Sequence, residues 1–137
     1  MKKHLAIFSP EAVKQILSGK KTIETRFSQK KIAPFGVVGK GDLVYMKPPG
    51  KDIVGRFTVK KVISIEGVDK EDFLEIQSKY GSLVSLGEQT LDKAFFDSRT
   101  SANYCTIIFI GNVEQFITSP IKIAKSDLRG WMVLEEN

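Results

Sequence analysis

The sequence predicts an α+β fold, a small mixed β-barrel of about six strands decorated by two or three helices, in one domain over residues 1–137. Three observations predict it. Short runs of β-branched and aromatic residues recur at close spacing, and helix start and stop signals fall between some of them. No repeat, low-complexity tract or Pro/Gly/Ser linker divides the chain. A length of 137 residues with 42% hydrophobic side chains suits one ordinary core.

Residues 5–8 read as a first strand. Ser9-Pro10-Glu11 then supplies an N-cap, a proline at the first helical position and an acidic first turn. Val13, Ile16 and Leu17 fall at the spacing of one buried helical face, and Gly19 is placed to stop the helix in a left-handed conformation. The exit, Lys20-Lys21-Thr22-Ile23-Glu24-Thr25-Arg26-Phe27, reads as a strand in which Thr22, Glu24 and Arg26 share one face. Gly39-Lys40-Gly41-Asp42 turns into the strand Leu43-Val44-Tyr45-Met46, which a stiff Lys47-Pro48-Pro49-Gly50 loop joins to a long strand over residues 53–65. These two should pair as a hairpin, with a bulge or bend where the phase changes at Lys60-Lys61. Asp69 caps a second helix closed by Gly81, residues 82–90 read as loop, and residues 90–96 read as a third helix. Strands over residues 104–110, 113–117 and 131–134 complete the set.

Several function classes are excluded early. No segment approaches the roughly 20 apolar residues of a membrane helix, and the four apolar residues before Ser9-Pro10 are too few for a signal peptide, so the cytoplasm is the expected location. Cys105 is the single cysteine and His4 the single histidine, which rules out an internal disulfide and a Cys/His zinc site. Cys105 lies in a strand-like run and reads as a small buried hydrophobe. The P-loop spacing is absent, so no nucleotide triphosphatase is indicated; no cofactor and no metal site are expected. His4 has no evident partner in the sequence.

The net charge of +5 is unevenly distributed. Residues 1–61 carry fourteen Lys/Arg against four Asp/Glu, a net +10, and residues 62–137 carry seven against twelve, a net −5. A cationic half suits an anionic partner, because clustered cations release the counterions condensed on phosphates. Surface lysines that merely keep a small protein soluble give the same count. Lys20, Lys47 and Lys51 fall on turns where a phosphate backbone could pass.

The densest chemistry is Gly19-x-Lys21-x-x-Glu24-x-Arg26, which crowds a cation, an anion and a second cation where a helix turns into a strand. Glu24 and Arg26 at i, i+2 on one strand face can pair, and an arginine held that way aims its donor fork at a phosphate or base edge. A surface salt bridge worth roughly 0–1 kcal/mol is the plain alternative. Trp131 and Tyr104 each open a strand and could stack on a base for about 1–3 kcal/mol, or simply fill the core. Ser9 caps a helix beside amides able to receive an anion.

The segment resembles the G-x-K-x-x-E-x-R signature of ASCH domains, in the PUA-like superfamily. Phe8-Ser9-Pro10-Glu11, Gly39-Lys40-Gly41-Asp42, Ile53-Val54-Gly55-Arg56-Phe57 and Gly130-Trp131-Met132-Val133-Leu134 follow that family's usual order, so the resemblance covers nearly the whole chain. It implies a PUA-like bent β-barrel with a cleft where the signature residues gather, taking RNA or a modified nucleoside or nucleotide. On that reading Lys21, Glu24 and Arg26 centre the cleft, with Ser9, Lys20, Lys47, Arg56, Tyr104 and Trp131 around it. The resemblance also allows a small hydrolase, an amidohydrolase on acylated cytidine with a reacting Lys, Thr and Glu, or a ribonuclease. Carried onto this chain, that Lys is Lys21 and that Glu is matched by Glu88. Glu24 stands where the Thr belongs, a departure that removes the hydroxyl nucleophile and leaves general base, carboxylate nucleophile or ionic partner as its roles. A protein-interaction module using the basic face is a third class.

Overall fold

The computed structural model describes residues 1–134, and its elements follow the capping chemistry closely. Strand β1 (Lys3–Ile7) leads into helix α1 (Pro10–Leu17), where the Ser9 hydroxyl accepts from the Ala12 amide at 3.1 Å. Gly19, at φ +79°, turns the chain out of the helix as its position predicts. Strands β2 (Ile23–Ser28), β3 (Leu43–Lys47) and β4 (Gly55–Glu66) follow. Asp69 and Asp72 close a reciprocal capping box at the start of α2 (Lys70–Tyr80). Helix α3 (Gln89–Asp97) and strands β5 (Tyr104–Gln115) and β6 (Trp131–Leu134) complete the described chain. Among the described residues no helix is long and apolar enough to cross a membrane.

The six strands form one curled mixed sheet in the order β2-β5-β4-β3-β1-β6, a half-barrel with three helices and an α+β fold of the expected kind. Only β1 and β3 run parallel; the other neighbours are antiparallel, including the expected β3–β4 hairpin. Register shifts between Arg56 and Thr58 and between Val59 and Lys61 break the long β4–β5 ladder, the second at the predicted phase change. Such bulges bend a strand and raise its twist, which curls the sheet.

One expectation fails. The chain over residues 104–117 is not two strands: β5 runs unbroken from Tyr104 to Gln115, and Gly111-Asn112, which falls between the two expected strands, lies within it with Asn112 at φ +46°. The reason is the partner, since β4 continues alongside and pairs with Glu114 and Gln115 beyond that irregularity.

Alternation along β5 divides the interior. Ile108 and Ile110 pack with Phe8, Val13, Ile16 and Phe57 beneath α1, whereas Cys105 and Ile107 pack with Phe73, Ile76 and Phe96 of α2 and α3. A third cluster, Leu5, Tyr45 and Ile53, gathers Ile121 and Ile123 from the segment before β6. The described residues therefore hold β2 and β6 as the two edges of the sheet.

A close backbone approach across the sheet is at Gly55, where an added Cβ would stand 2.5 Å from the Glu114 carbonyl and 3.2 Å from the Met46 methyl. Gly55→Ala should lower stability by about 1–3 kcal/mol, the usual cost of overpacking a close contact. Gly130→Ala, with open space around the new Cβ, should stay within about 0.5 kcal/mol of the parent. Urea midpoints of the two variants check this pair of expectations.

Candidate functional site

Lys21, the first cation of the motif, is inside the protein rather than in solvent. After Gly19, the Lys20 and Lys21 amides both return to the Gln15 carbonyl, at 3.0 and 2.9 Å, which folds the turn back on α1. The Lys21 side chain is 2% exposed. Its ammonium donates to the carbonyls of Ile23 at 2.8 Å and Val84 at 2.9 Å and meets Glu24 Oε1 at 3.1 Å. Three partners use the three N–H donors an ammonium has.

Glu24 and Arg26 share one face of β2, as alternation predicts, and Arg26 Nε donates to Glu24 Oε2 at 2.9 Å. Thr22 does not join them; it is exposed and precedes the strand. Arg26 Nη2 donates to the Ile7 carbonyl at 2.7 Å and Nη1 to the Gly130 carbonyl at 3.3 Å. The guanidinium carbon also lies 4.8 Å from the Phe8 ring and 5.2 Å from the Trp131 ring. Burial pushes the Glu24 carboxyl up, but the charges of Lys21 and Arg26 and their hydrogen bonds outweigh it and hold the group below the ordinary carboxylate range. Glu24 is therefore an anion between two cations.

Glu24 and Arg26 face a cavity of about 490 Å³ bounded by the start of α1, β2 and α3. Phe8, Phe27 and Phe95 supply aromatic walls, Ser9 lies at the rim, and Arg99 brings a second guanidinium. Arg99 lies over the Phe95 ring at 3.8 Å and fixes itself with Nη1 on the Phe95 carbonyl and the Ser98 hydroxyl. Burial holds its pKa below the usual arginine value; Glu24 opposes that shift and Arg26 adds to it, so the three charges sense one another. Arg99 Nε and Nη2 have no partner among the described residues. Each Glu24 oxygen has one protein donor here and can accept another. The cavity thus offers guanidinium donors, carboxylate acceptors and ring faces together.

The other sequence candidates are dispersed. Lys47 closes β3 fully buried and pins the segment before β6 by donating to the carbonyls of Lys125 and Asp127 at 2.8 and 3.0 Å, so it is no cleft wall. Arg56 pairs with Glu114 on the surface. Tyr104 packs edge-on against Phe35 at 5.0 Å, outside the cavity. Lys20 is exposed and does not line it. Glu88 is the exposed N-cap position of α3 and makes no capping bond; it is likewise outside. Trp131 lines a neighbouring cavity. Burial pushes the Cys105 thiol up to about 12, in keeping with its reading as a buried hydrophobe.

Two features escaped the sequence reading. Arg99 sits in the acidic half and outside any motif; its only signal is a lone arginine directly after a helix. His4 is fully buried with Nε2 at 2.8 Å from Asp42 Oδ2, and Trp131 Nε1 donates to its Nδ1 at 3.0 Å. Because Nδ1 accepts, the proton belongs on Nε2, which donates to Asp42. The histidine therefore ties β1 both to the turn before β3 and to β6.

A family model described as the ASCH domain matches residues 7–119. Among solved structures, an ASCH protein from Zymomonas mobilis superposes with a TM-score of 0.61 at 19% identity, covering 83% of this chain and 70% of that one. A tyrosine-to-phenylalanine mutant from the same organism gives 0.68 at 16% identity, with 99% and 92% covered. A protein from Enterococcus faecalis V583 gives 0.58 at 9% identity, with 89% and 87% covered. At these identities the likeness is one of fold. No curated protein matches the chain.

The buried ion cluster has a direct consequence for stability. Glu24→Gln removes the anion and leaves Lys21 and Arg26 facing each other, which should cost about 3 kcal/mol, near the usual loss when one member of a buried pair is deleted. Because Glu24 has a lower pKa folded than unfolded, its contribution is fully present above the unfolded value of roughly 4.3 and is lost as pH falls through the folded value. Thermal melts from neutral to acid pH should show the parent losing stability below that point and Glu24→Gln, weaker at neutral pH, losing less.

Proposed function

Since this chain belongs to the ASCH domain family, whose domains are generally proposed to bind RNA, we propose that it binds RNA or a nucleotide and that the cavity over Glu24, Arg26 and Arg99 receives the ligand. The observation that carries this reading is the composition of that one cavity: two guanidiniums, an ionised carboxylate with free lone pairs, and the rings of Phe8, Phe27 and Phe95. A base placed there can stack on a ring and donate an exocyclic N–H to Glu24. Its phosphate finds Arg99, which has the N–H groups to bind it.

The same geometry weighs against the hydrolase alternative. Lys21 has no free N–H and sits behind Glu24, the residue in the place of the hydroxyl nucleophile is a stabilised anion, and Glu88 stands outside the cavity. Lys21 and Arg26 hold Glu24 ionised, and Glu24 and Arg26 line the cavity. A protein-interaction module has no specific feature in its favour.

Fluorescence anisotropy with a short single-stranded RNA tests the reading. Affinity should fall as salt rises, with a log–log slope set by the phosphates contacted. Arg99→Ala should weaken binding by about 1–3 kcal/mol while leaving the fold intact, because Arg99 bonds only within its own helix end. RNA affinity that ignores both salt and Arg99→Ala would overturn the proposal. Release of acetate from acetylcytidine, lost in Glu24→Gln, would replace it with the hydrolase.

A further inference from the structure

A second cavity of about 360 Å³ adjoins the first, and Arg26 and Phe27 line both. Its other walls include Ile32, Pro34, Arg129 and Trp131. The indole is fixed there by its bond to His4, with the Arg26 guanidinium 5.2 Å from its ring. Thr106 also lines this cavity, 1% exposed, and its hydroxyl has no hydrogen-bond partner among the described residues. At the rim Arg129 engages Asp127 through Nε and Nη2 only. Either volume falls within the roughly 300–1,000 Å³ of small-molecule sites.

We infer that the ligand is an oligonucleotide rather than a free nucleoside: one base occupies the first cavity, the adjoining nucleotide occupies the second, and the phosphodiester between them passes Arg26. This rests on the RNA-binding reading above and adds the class of ligand to it. Arg26 suits the linking position because it is the cation common to both cavities. Its three protein bonds use three of the five N–H groups of a guanidinium, which leaves donors and a positive charge for a phosphate. Trp131 and Phe27 give the second base ring faces, and Thr106 an unpaired hydroxyl.

Trp131 is the only tryptophan in the chain, so emission excited selectively at tryptophan, clear of the tyrosines, reports from the second cavity. Titrations with nucleoside monophosphates and with the ribodinucleoside monophosphates separate the two sites. Dinucleotides should bind at least about tenfold more tightly than the mononucleotides and should shift or quench the Trp131 emission, which the mononucleotides leave unchanged. Ile32 is 57% exposed, so Ile32→Glu should fold; its carboxylate beside the second cavity should shrink the dinucleotide advantage. If mononucleotides bind but dinucleotides bind no better and leave the emission alone, the second subsite is wrong and the first cavity stands. A dinucleotide advantage that survives Ile32→Glu in full also overturns the second subsite. If neither class binds, the reading of the first cavity fails and takes this one with it.

Discussion

Arg26 joins three separate parts of the chain through one guanidinium: the Glu24 carboxylate beside it, the Ile7 carbonyl at the end of β1 and the Gly130 carbonyl ahead of β6. The strands it connects are the two margins of the half-barrel, because β2 ends the sheet on one side and β6, laid against β1, ends it on the other. Where a full barrel would close with strand-to-strand hydrogen bonds, this one closes through a side chain. The closure needs a fixed arginine, the arginine is fixed by Glu24, and Glu24 can be a buried anion because Lys21 stands behind it. Lys21 in turn requires the Ile23 and Val84 carbonyls. Few of these groups can be changed singly, since an ion pair out of water tolerates the loss of one partner far less well than of both.

The proposed binding chemistry and the closure therefore use the same atoms. Glu24 and Arg26 form part of the cavity wall and also hold the sheet edges together, so any ligand that engages them touches the element that sets the shape of the site. Arg99 differs. It is anchored at the end of α3, contributes charge to the cavity and closes nothing.

Much of this architecture is legible in the sequence because its signals are local. Ser9-Pro10, Gly19 and the Asp69–Asp72 pair are read from neighbours a few positions away, and the chain obeys them. The motif likewise places Glu24 and Arg26 together correctly, since strand alternation settles which face they share. What was not legible depends on distant partners. Gly111-Asn112 falls between two expected strands until β4 is seen to continue beside it. Lys47 looks like a surface cation after a strand, yet its acceptors are Lys125 and Asp127, and His4 is paired with residues 38 and 127 positions away. The charge count misleads for the same reason. Of the fourteen cations in the first half, Lys21 and Lys47 are interior and offer nothing to a polyanion at the surface.

The contact between Arg26 and Gly130 spans 104 positions of sequence, and that distance has a bearing on biosynthesis. A ribosome delivers Lys21, Glu24 and Arg26 early, together with the Ile7 carbonyl, but the second anchor of the clasp is added only when translation reaches Gly130. The Val84 carbonyl that steadies Lys21 also arrives well after the lysine it receives. Until then the nascent polypeptide carries a charged cluster with its partners incomplete and β1 with one side bare, a state in which unpaired strand margins are open to wrong pairing. The walls of the cavity over Glu24 and Arg26 all come from residues 7–99, yet Arg26 among them gains its Gly130 anchor only after every wall has been made.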